Sequence, residues 1–219
     1  MATSGTTAFD LSIDELIEEA FERCGLELRP GYDLDSARRS LNIMMADWAN
    51  RGLNQWTIVE RTFTTTKGTS SYNLDTDLID ITEAVITRDS TDIQLEKISR
   101  SDYLFTPTKT QQARPTQFFL DRQTTPVIKL FPTPENSTDV IKYNALTRIQ
   151  DAGDYTNNME VVFRFIPCLV SGLAYYIAMK RAPEKIALLK QVYDEEFDRA
   201  AFEDIDSVSS RFLPGRTVI

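Results

Sequence analysis

Near the beginning of the chain, apolar residues recur with the period of an α-helix. They are Ile13, Leu16, Ile17, Ala20, Phe21 and Cys24. Ser12 and Glu15 have the spacing of a capping box, and Gly25 stands where a helix commonly ends. The pattern therefore predicts a first helix between Ser12 and Gly25.

A second helical pattern follows a short loop at Arg29-Pro30-Gly31. Its apolar face consists of Leu34, Ala37, Leu41, Met44, Met45 and Trp48. We expect a helix over residues 33–50, which Gly52 closes. A loop this short places two helices side by side and antiparallel.

From Trp56 onward the pattern changes to short β runs. The predicted strands are residues 57–64, 71–74, 79–88, 92–98, 116–121, 127–131 and 139–147. In the last run, Ile141, Tyr143 and Ala145 alternate with more polar positions, as in a half-buried strand. A connecting loop is expected at residues 132–136 and a short helix near residues 99–105. The strands suggest a small sheet or sandwich.

Helical spacing returns in the last third of the chain. One helix is predicted from about residue 158 to residue 181, in which Pro167 either causes a kink or marks the true first turn. A last helix is predicted from Pro183 to about residue 206.

These elements predict an α+β fold. A helical core of four long helices would carry a β-rich insertion between its two helix pairs, because neither pair alone can bury its apolar stripe. The expected segments are the N-terminal helix pair at residues 1–56, the β-rich insertion at 57–155, the C-terminal helix pair at 156–206 and an extended C-terminal arm at 207–219.

The C-terminal arm, residues 207–219, differs in composition from the rest of the chain. It has no Asp or Glu, its apolar residues follow no helix or strand period, and Pro214-Gly215 would break either. Such a segment can fold onto a partner, although a frayed terminus is the alternative. Its candidate contact residues are Arg211, Phe212, Leu213, Arg216, Val218 and Ile219.

Charge and composition exclude several classes of protein. The net charge of the 219 residues is −9, and without the two arginines of the arm it is −11, which argues against tight binding of duplex DNA. No secretory signal or membrane span is expected. Cys24 and Cys168 lie in apolar helical patterns and are interpreted as buried free thiols in a reducing cytosol.

Candidate chemistry is sparse. The chain has no histidine, which removes Ser-His-Asp and Cys-His catalysis and the usual zinc sites. The pairs Glu18/Glu19 and Glu195/Glu196 lie on polar helix faces, and the cluster of Asp75, Asp77 and Asp80 lacks the spacing of a calcium loop. We therefore assign no catalytic, cofactor-binding or metal-binding residue and expect no enzyme.

Two tryptophans flank the segment between the helical and β patterns. Trp48 and Trp56 are interpreted as core anchors, with anchors for a partner surface as the alternative.

Three stretches together resemble one protein family. They are SARRSLN (36–42) leading through DWANRG (47–52) to Trp56, then ARPT (113–116) with PVIKLFPTP (126–134), then FRFIPCL (163–169) with GLAYYIA (172–178). In this order they resemble the head-to-tail adaptors, or connectors, of short-tailed bacteriophages and their relatives.

This resemblance implies a structural virion protein without a cofactor. Such adaptors form a ring, commonly of twelve subunits, beneath the portal protein at the head-tail junction of the virion. The ring extends the DNA channel, lets DNA pass without specific binding and receives a tail or nozzle protein, and in some members a C-terminal extension reaches the portal. Assembly would take place in the host cytoplasm.

The residues by themselves leave two other functions open. The β section could serve a non-catalytic module that binds a ligand or a glycan. The second alternative is a carboxylate-dependent hydrolase that acts on cell walls. An acidic wall that repels DNA suits a channel and so agrees with the adaptor.

Overall fold

The chain is organised as two compact units. The structure, a computed structural model, describes Gly5, Phe9 and residues 11–29, 31–51 and 55–204. Unit 1 takes its residues from both ends of the chain, Met1–Gln55 and Gln150–Ile219, and unit 2 is Trp56–Ile149.

Five α-helices, ten strands and three short 3₁₀-helices (Gln55–Thr57, Phe163–Phe165 and Pro183–Lys185) make up the regular structure of the described residues. The helices are α1 (Ile13–Arg23), α2 (Tyr32–Arg51), α3 (Arg100–Phe105), α4 (Ile166–Arg181) and α5 (Ile186–Glu203). The strands are β1 (Ile58–Thr64), β2 (Ser71–Asn73), β3 (Leu78–Arg88), β4 (Thr91–Gln94), β5 (Glu96–Lys97), β6 (Gln112–Ala113), β7 (Gln117–Asp121), β8 (Val127–Phe131), β9 (Thr133–Pro134) and β10 (Val140–Thr147).

Both ends of α1 are fixed by the residues that predicted them. The backbone N–H of Ser12 donates to the carboxylate of Glu15 at 3.1 Å, which confirms the capping box. Gly25 has φ of +64°, and the Gly25 and Leu26 N–H groups donate to the carbonyls of Glu22 and Phe21. This is a Schellman motif, in which glycine takes the left-handed conformation at low cost.

Helix α4 is the centre of unit 1, and it packs against α1, α2 and α5. Gly172 is needed where α4 meets its neighbours, because a Cβ there would lie 2.5 Å from Met44 Sδ and 2.8 Å from Tyr193 Cε2. Cys24 and Cys168 are buried free thiols, as expected, and burial raises the pKa of both.

Unit 2 is built from three sheets. The order β1-β10-β3-β4 is antiparallel throughout, and the order β2-β8-β7-β5 ends in a parallel pair of β5 with β7. The third sheet is the short parallel pair of β6 with β9. Strand β10 has the predicted alternation, since Ile141, Tyr143 and Ala145 are buried and the residues between them are half-buried.

The strands of unit 2 bury an apolar core of their own. It consists of Leu74, Leu78, Ile81, Ala84, Ile86, Leu95, Phe118, Leu120, Ile128, Leu130, Ile141, Tyr143 and Ala145. Each of the two four-stranded sheets contributes a face to this core, so the β section does not need the helices to hide its apolar residues.

The predicted fold class, a core of four long helices carrying a β-rich insertion, was therefore wrong. The short helix predicted near residues 99–105 is present as α3, but the strands form three sheets, and the two larger sheets enclose a core separate from that of the four long helices. The arm predicted at residues 207–219 lies outside the described residues.

Two arginines tie the strands of unit 2 to acidic loops. The Arg88 guanidinium donates to both carboxylate oxygens of Asp139, at 2.8 and 2.7 Å, and to Glu135 at 2.8 Å. The Arg61 guanidinium donates to both oxygens of Asp77, at 2.8 and 2.6 Å. Hydrogen bonds from these arginines are the main reason that the pKa values of Asp139 and Asp77 lie below the usual 3.8.

These lowered pKa values make unit 2 sensitive to acid. Between the folded-state pKa and about 3.8, the unfolded chain binds more protons than the folded chain. The carboxylates therefore stabilise unit 2 fully above pH 3.8, and this contribution is lost as the pH falls through their folded-state values. We expect the urea midpoint of unit 2 to fall between pH 5 and pH 2.5. The fall should be smaller in Asp139→Asn, and an equal fall in that variant would contradict the assignment.

Candidate functional site

The aspartates of unit 2 that could have held a cation are paired with cationic side chains. Asp75 and Asp77 accept hydrogen bonds from Arg61, and Asp80 accepts from Lys97 and from Arg122. Within the described part of the chain, no three Cys, Asp or Glu side chains come together as a metal site. The structure thus uses these carboxylates for internal ion pairs.

Three of the four glutamates considered for hydrolysis have separate local partners. Glu19 pairs with Arg23 at 3.0 Å, one turn further along α1. Glu195 accepts from the Gln191 amide at 2.8 Å, whereas Glu196 accepts from the Ser171 hydroxyl at 2.5 Å. These contacts link neighbouring turns or neighbouring helices and give neither pair a shared substrate position.

The tryptophans occupy different environments. Trp48 is completely buried in unit 1, between the rings of Phe165 and Phe197, and its Nε1 donates to the Tyr193 hydroxyl at 2.7 Å. Trp56 is half-buried at the beginning of unit 2.

The six contact residues of the arm, Arg211 to Ile219, lie outside the described residues. None of the described helices has the length and apolar character needed to cross a membrane.

The most exposed apolar side chains of unit 2 are adjacent on the short helix α3. Leu104 is 69% exposed and Phe105 is 80% exposed, and no residue of α3 is buried. We call the side chains of Leu104 and Phe105 the knob. Large apolar side chains that project together in this way are typical of contact sites for another protein.

Helix α3 is held in place although it buries none of its own residues. Ser99 and Asp102 form a capping box at its beginning. At its end, the Lys109 ammonium donates to the carbonyl oxygens of Leu104, at 2.9 Å, and Thr106, at 3.0 Å. Tyr103 stacks on Phe119 of β7 with 5.6 Å between ring centroids. The knob is therefore presented by a helix that is ordered in advance.

The sequence on both sides of the knob is rich in basic residues, although the whole chain has a net charge of −9. Residues 97–129 contain six lysines and arginines against two aspartates. Four of the six pair with Asp80 or Asp121. Lys109 and Lys129 both lie close to the Tyr103 ring, at 5.6 and 5.8 Å from its centroid. An acidic partner surface would complement this region.

Unit 1 has an open groove between α1 and α4, which we call the acidic groove. Its apolar floor is formed by Leu11, Ile166, Pro167 and Val170. Its rim is formed by exposed residues of α1, namely Glu15, Glu18, Glu19, Glu22 and Arg23, of which Arg23 pairs with Glu19. The volume of about 510 Å³ gives room for large side chains. Its chemistry suits an apolar group that has basic neighbours.

Sequence reasoning found α3 but did not assign it a role. The available signal was Leu104-Phe105, a pair of large apolar residues within a Ser- and Thr-rich stretch. The acidic groove was missed because α1 and α4 are about 150 residues apart in the sequence. Its glutamates alone look like the solvated face of an amphipathic helix.

Comparison with known proteins adds a family. The family model described as SU10 adaptor protein matches residues 11–218, which include both units. No curated protein matches the chain at the significance required.

Proposed function

Because the chain belongs to the SU10 adaptor protein family, and is thus a structural head-to-tail adaptor of a bacteriophage, we propose that its subunits form a ring beneath the portal protein. The ring extends the DNA channel and receives the next component of the tail. The match over residues 11–218 confirms the resemblance to such adaptors and is the observation that carries this proposal.

The charge of the chain supports a role around DNA that does not include binding to it. The net charge of residues 1–206 is −11, because 22 lysines and arginines stand against 33 aspartates and glutamates. A channel wall of this sign repels the phosphate backbone, so DNA can slide without being held. Twelve such subunits around one axis would strengthen the electrostatic repulsion of DNA.

The C-terminal arm is proposed to contact the portal protein. Its composition suits a segment that orders on binding, with Phe212, Leu213, Val218 and Ile219 entering an apolar groove and Arg211 and Arg216 pairing with carboxylates. Repeated around a ring, arms of modest individual affinity would hold the adaptor firmly through avidity.

Ring formation and portal binding can be measured directly. Native mass spectrometry of the 25.0 kDa chain, alone and with isolated portal rings, should show adaptor rings on the portal. Failure of the full chain to join a portal under assembly conditions would contradict the proposed function.

Removal of residues 207–219 should weaken attachment to the portal and leave the folded units intact. Helix α5 ends at Glu203, and no apolar helical stripe in the sequence continues past Asp206. We expect an unchanged urea midpoint and a loss of portal affinity of at least tenfold. The matched control removes residues 1–8, which carry no charged side chain and should leave the affinity unchanged. Equal affinity of the chain without the arm and the full chain would exclude the arm as the portal contact.

A further inference from the structure

We propose that the knob of one subunit docks into the acidic groove of the next subunit, and that this contact closes the ring. The inference rests on the proposed function, because it identifies the surfaces through which neighbouring copies of this chain meet. It concerns contacts between copies and is separate from the contact of the arm with the portal.

The apolar parts of the two surfaces are complementary. Leu104 and Phe105 are 69% and 80% exposed to solvent. A protein that stayed a monomer would gain nothing from this exposure. The floor of the acidic groove offers apolar surface from Leu11, Ile166 and Pro167 in a space of about 510 Å³. A leucine and a phenylalanine side chain fit this space, and their burial would remove both surfaces from water.

The charges at the edges of the two surfaces are also complementary. Helix α1 contains five acidic residues against one arginine, an excess of four negative charges. The segment around the knob, residues 97–129, has six lysines and arginines against two aspartates, and Asp80, outside the segment, pairs with two of the six. When the knob enters the groove, Lys109 and its basic neighbours approach the glutamate rim. Opposite charges at the rim steer the encounter and fix its orientation.

The order of α3 before binding favours this contact. A capping box and the Lys109 ammonium satisfy the backbone groups at its two ends, and the stacking of Tyr103 on Phe119 holds it on the sheet. Little conformational entropy is therefore lost when the knob docks, which leaves more of the interaction energy for association.

A contact between two different surfaces links copies head to tail. Because the knob and the groove are not the same patch, each subunit offers one knob to one neighbour and one groove to the other. Such head-to-tail contacts close into a ring when the rotation between neighbours divides a full turn evenly. A symmetric dimer would instead use one patch twice and would stop at two copies.

Two variants test the knob and the acidic groove separately. The knob variant carries Leu104→Ser and Phe105→Ser, and the groove variant carries Glu18→Lys and Glu22→Lys. All four residues are exposed, so we expect both variants to fold with wild-type circular dichroism and urea midpoints. Native mass spectrometry at low ionic strength then measures assembly, under conditions in which the wild-type chain forms rings alone or on isolated portal rings.

Neither variant should form rings on its own. A mixture of the two should form pairs of twice the subunit mass, because the intact knob of the groove variant can still enter the intact groove of the knob variant. The mixture should stop at the pair, since its two remaining surfaces are the altered ones. The matched control, Leu188→Ser with Phe202→Ser, removes two other exposed apolar side chains, from α5, and should form rings like the wild type.

Other results would overturn the proposal. Rings formed by the knob variant alone would show that the knob is not the contact, and if those rings then failed to join the portal, the knob would be a portal contact. Absence of pairs in the mixture would exclude the groove as its receptor. Rings that disappear on removal of residues 207–219 but persist in the knob variant would make the arm the occupant of the groove. A wild-type chain that forms no ring, even on the portal, would refute the proposed function itself and this contact with it.

Discussion

Trp48→Ala is expected to lower the free energy of unfolding of unit 1 by about 3–5 kcal/mol, since it empties the centre of a packed core. The indole is completely buried, and its ring centroid lies 5.6 Å from that of Phe165 and 5.5 Å from that of Phe197. The change also removes the Nε1 hydrogen bond to the buried Tyr193 hydroxyl, whose pKa is raised by burial to about 12. A buried hydroxyl that loses its partner adds to the cost.

Urea unfolding followed by circular dichroism at 222 nm measures this effect, because the helical signal comes mainly from unit 1. Trp48→Phe is the matched control, since it keeps an aromatic ring and should cost roughly half as much. The fluorescence of Trp56, which belongs to unit 2, should report an unchanged midpoint for that unit if the two units unfold independently. A loss below 1 kcal/mol in Trp48→Ala would show that the indole is not packed as described.

Arg88→Met is expected to destabilise unit 2 by about 3–5 kcal/mol, because it leaves a buried carboxylate without the guanidinium that donates two of its hydrogen bonds. The Asp139 side chain is 1% exposed, and Arg88 supplies two of its hydrogen bonds. Methionine keeps the length and most of the apolar stem of the arginine, so the loss reports the charge and not a cavity.

The neighbouring pair provides the control for this change. Glu135 also accepts from Arg88, but its side chain is 44% exposed, and Glu135→Gln should change the stability by less than about 1 kcal/mol. Thermal unfolding of both variants at pH 7 measures the difference. The double variant Arg88→Met with Asp139→Asn should recover part of the loss, because the charge of the buried carboxylate is then removed as well. No recovery would contradict the buried-charge explanation.

Local signals in the sequence predicted most element boundaries well. Ser12, Glu15 and Gly25 fixed α1, and the strand predicted at residues 127–131 is β8, Val127–Phe131. Hydrogen bonds between near neighbours determine such boundaries, so the residues that form them are adjacent in the sequence.

The beginning of α4 could not be read from periodicity alone. A helix was expected from about residue 158, but α4 begins at Ile166, and Pro167 lies in its first turn. The preceding residues serve α1 instead, because the carbonyls of Asn157 and Tyr155 accept from the N–H groups of Ile13 and Asp14. The first turn of α1 needs such acceptors, and a contact across more than 140 residues leaves no local pattern.

The sequence also did not show which strands belong to the same sheet. The run predicted as one strand at residues 92–98 is divided between β4 and β5, which belong to different sheets. Residues 132–136 were expected to be a loop, yet Thr133–Pro134 pairs in parallel with Gln112–Ala113. Strand pairing depends on partners that are distant in sequence. For the same reason, the separate core of unit 2 and the acidic groove could not be predicted from local patterns.

The division of unit 1 between the two ends of the chain has a consequence for synthesis on the ribosome. Helices α1 and α2 emerge first, but α4, on which they pack, begins roughly 115 residues after α2 ends. At about 5–20 residues per second, this delay is on the order of ten seconds. Unit 2 is formed by one continuous segment of the chain and can fold during that interval. The apolar faces of α1 and α2 that pack on α4 remain exposed to solvent until α4 is synthesised. Nascent subunits are therefore most vulnerable to aggregation and chaperone capture at this stage, and premature termination between the units would release a chain with one folded unit and two unpartnered helices.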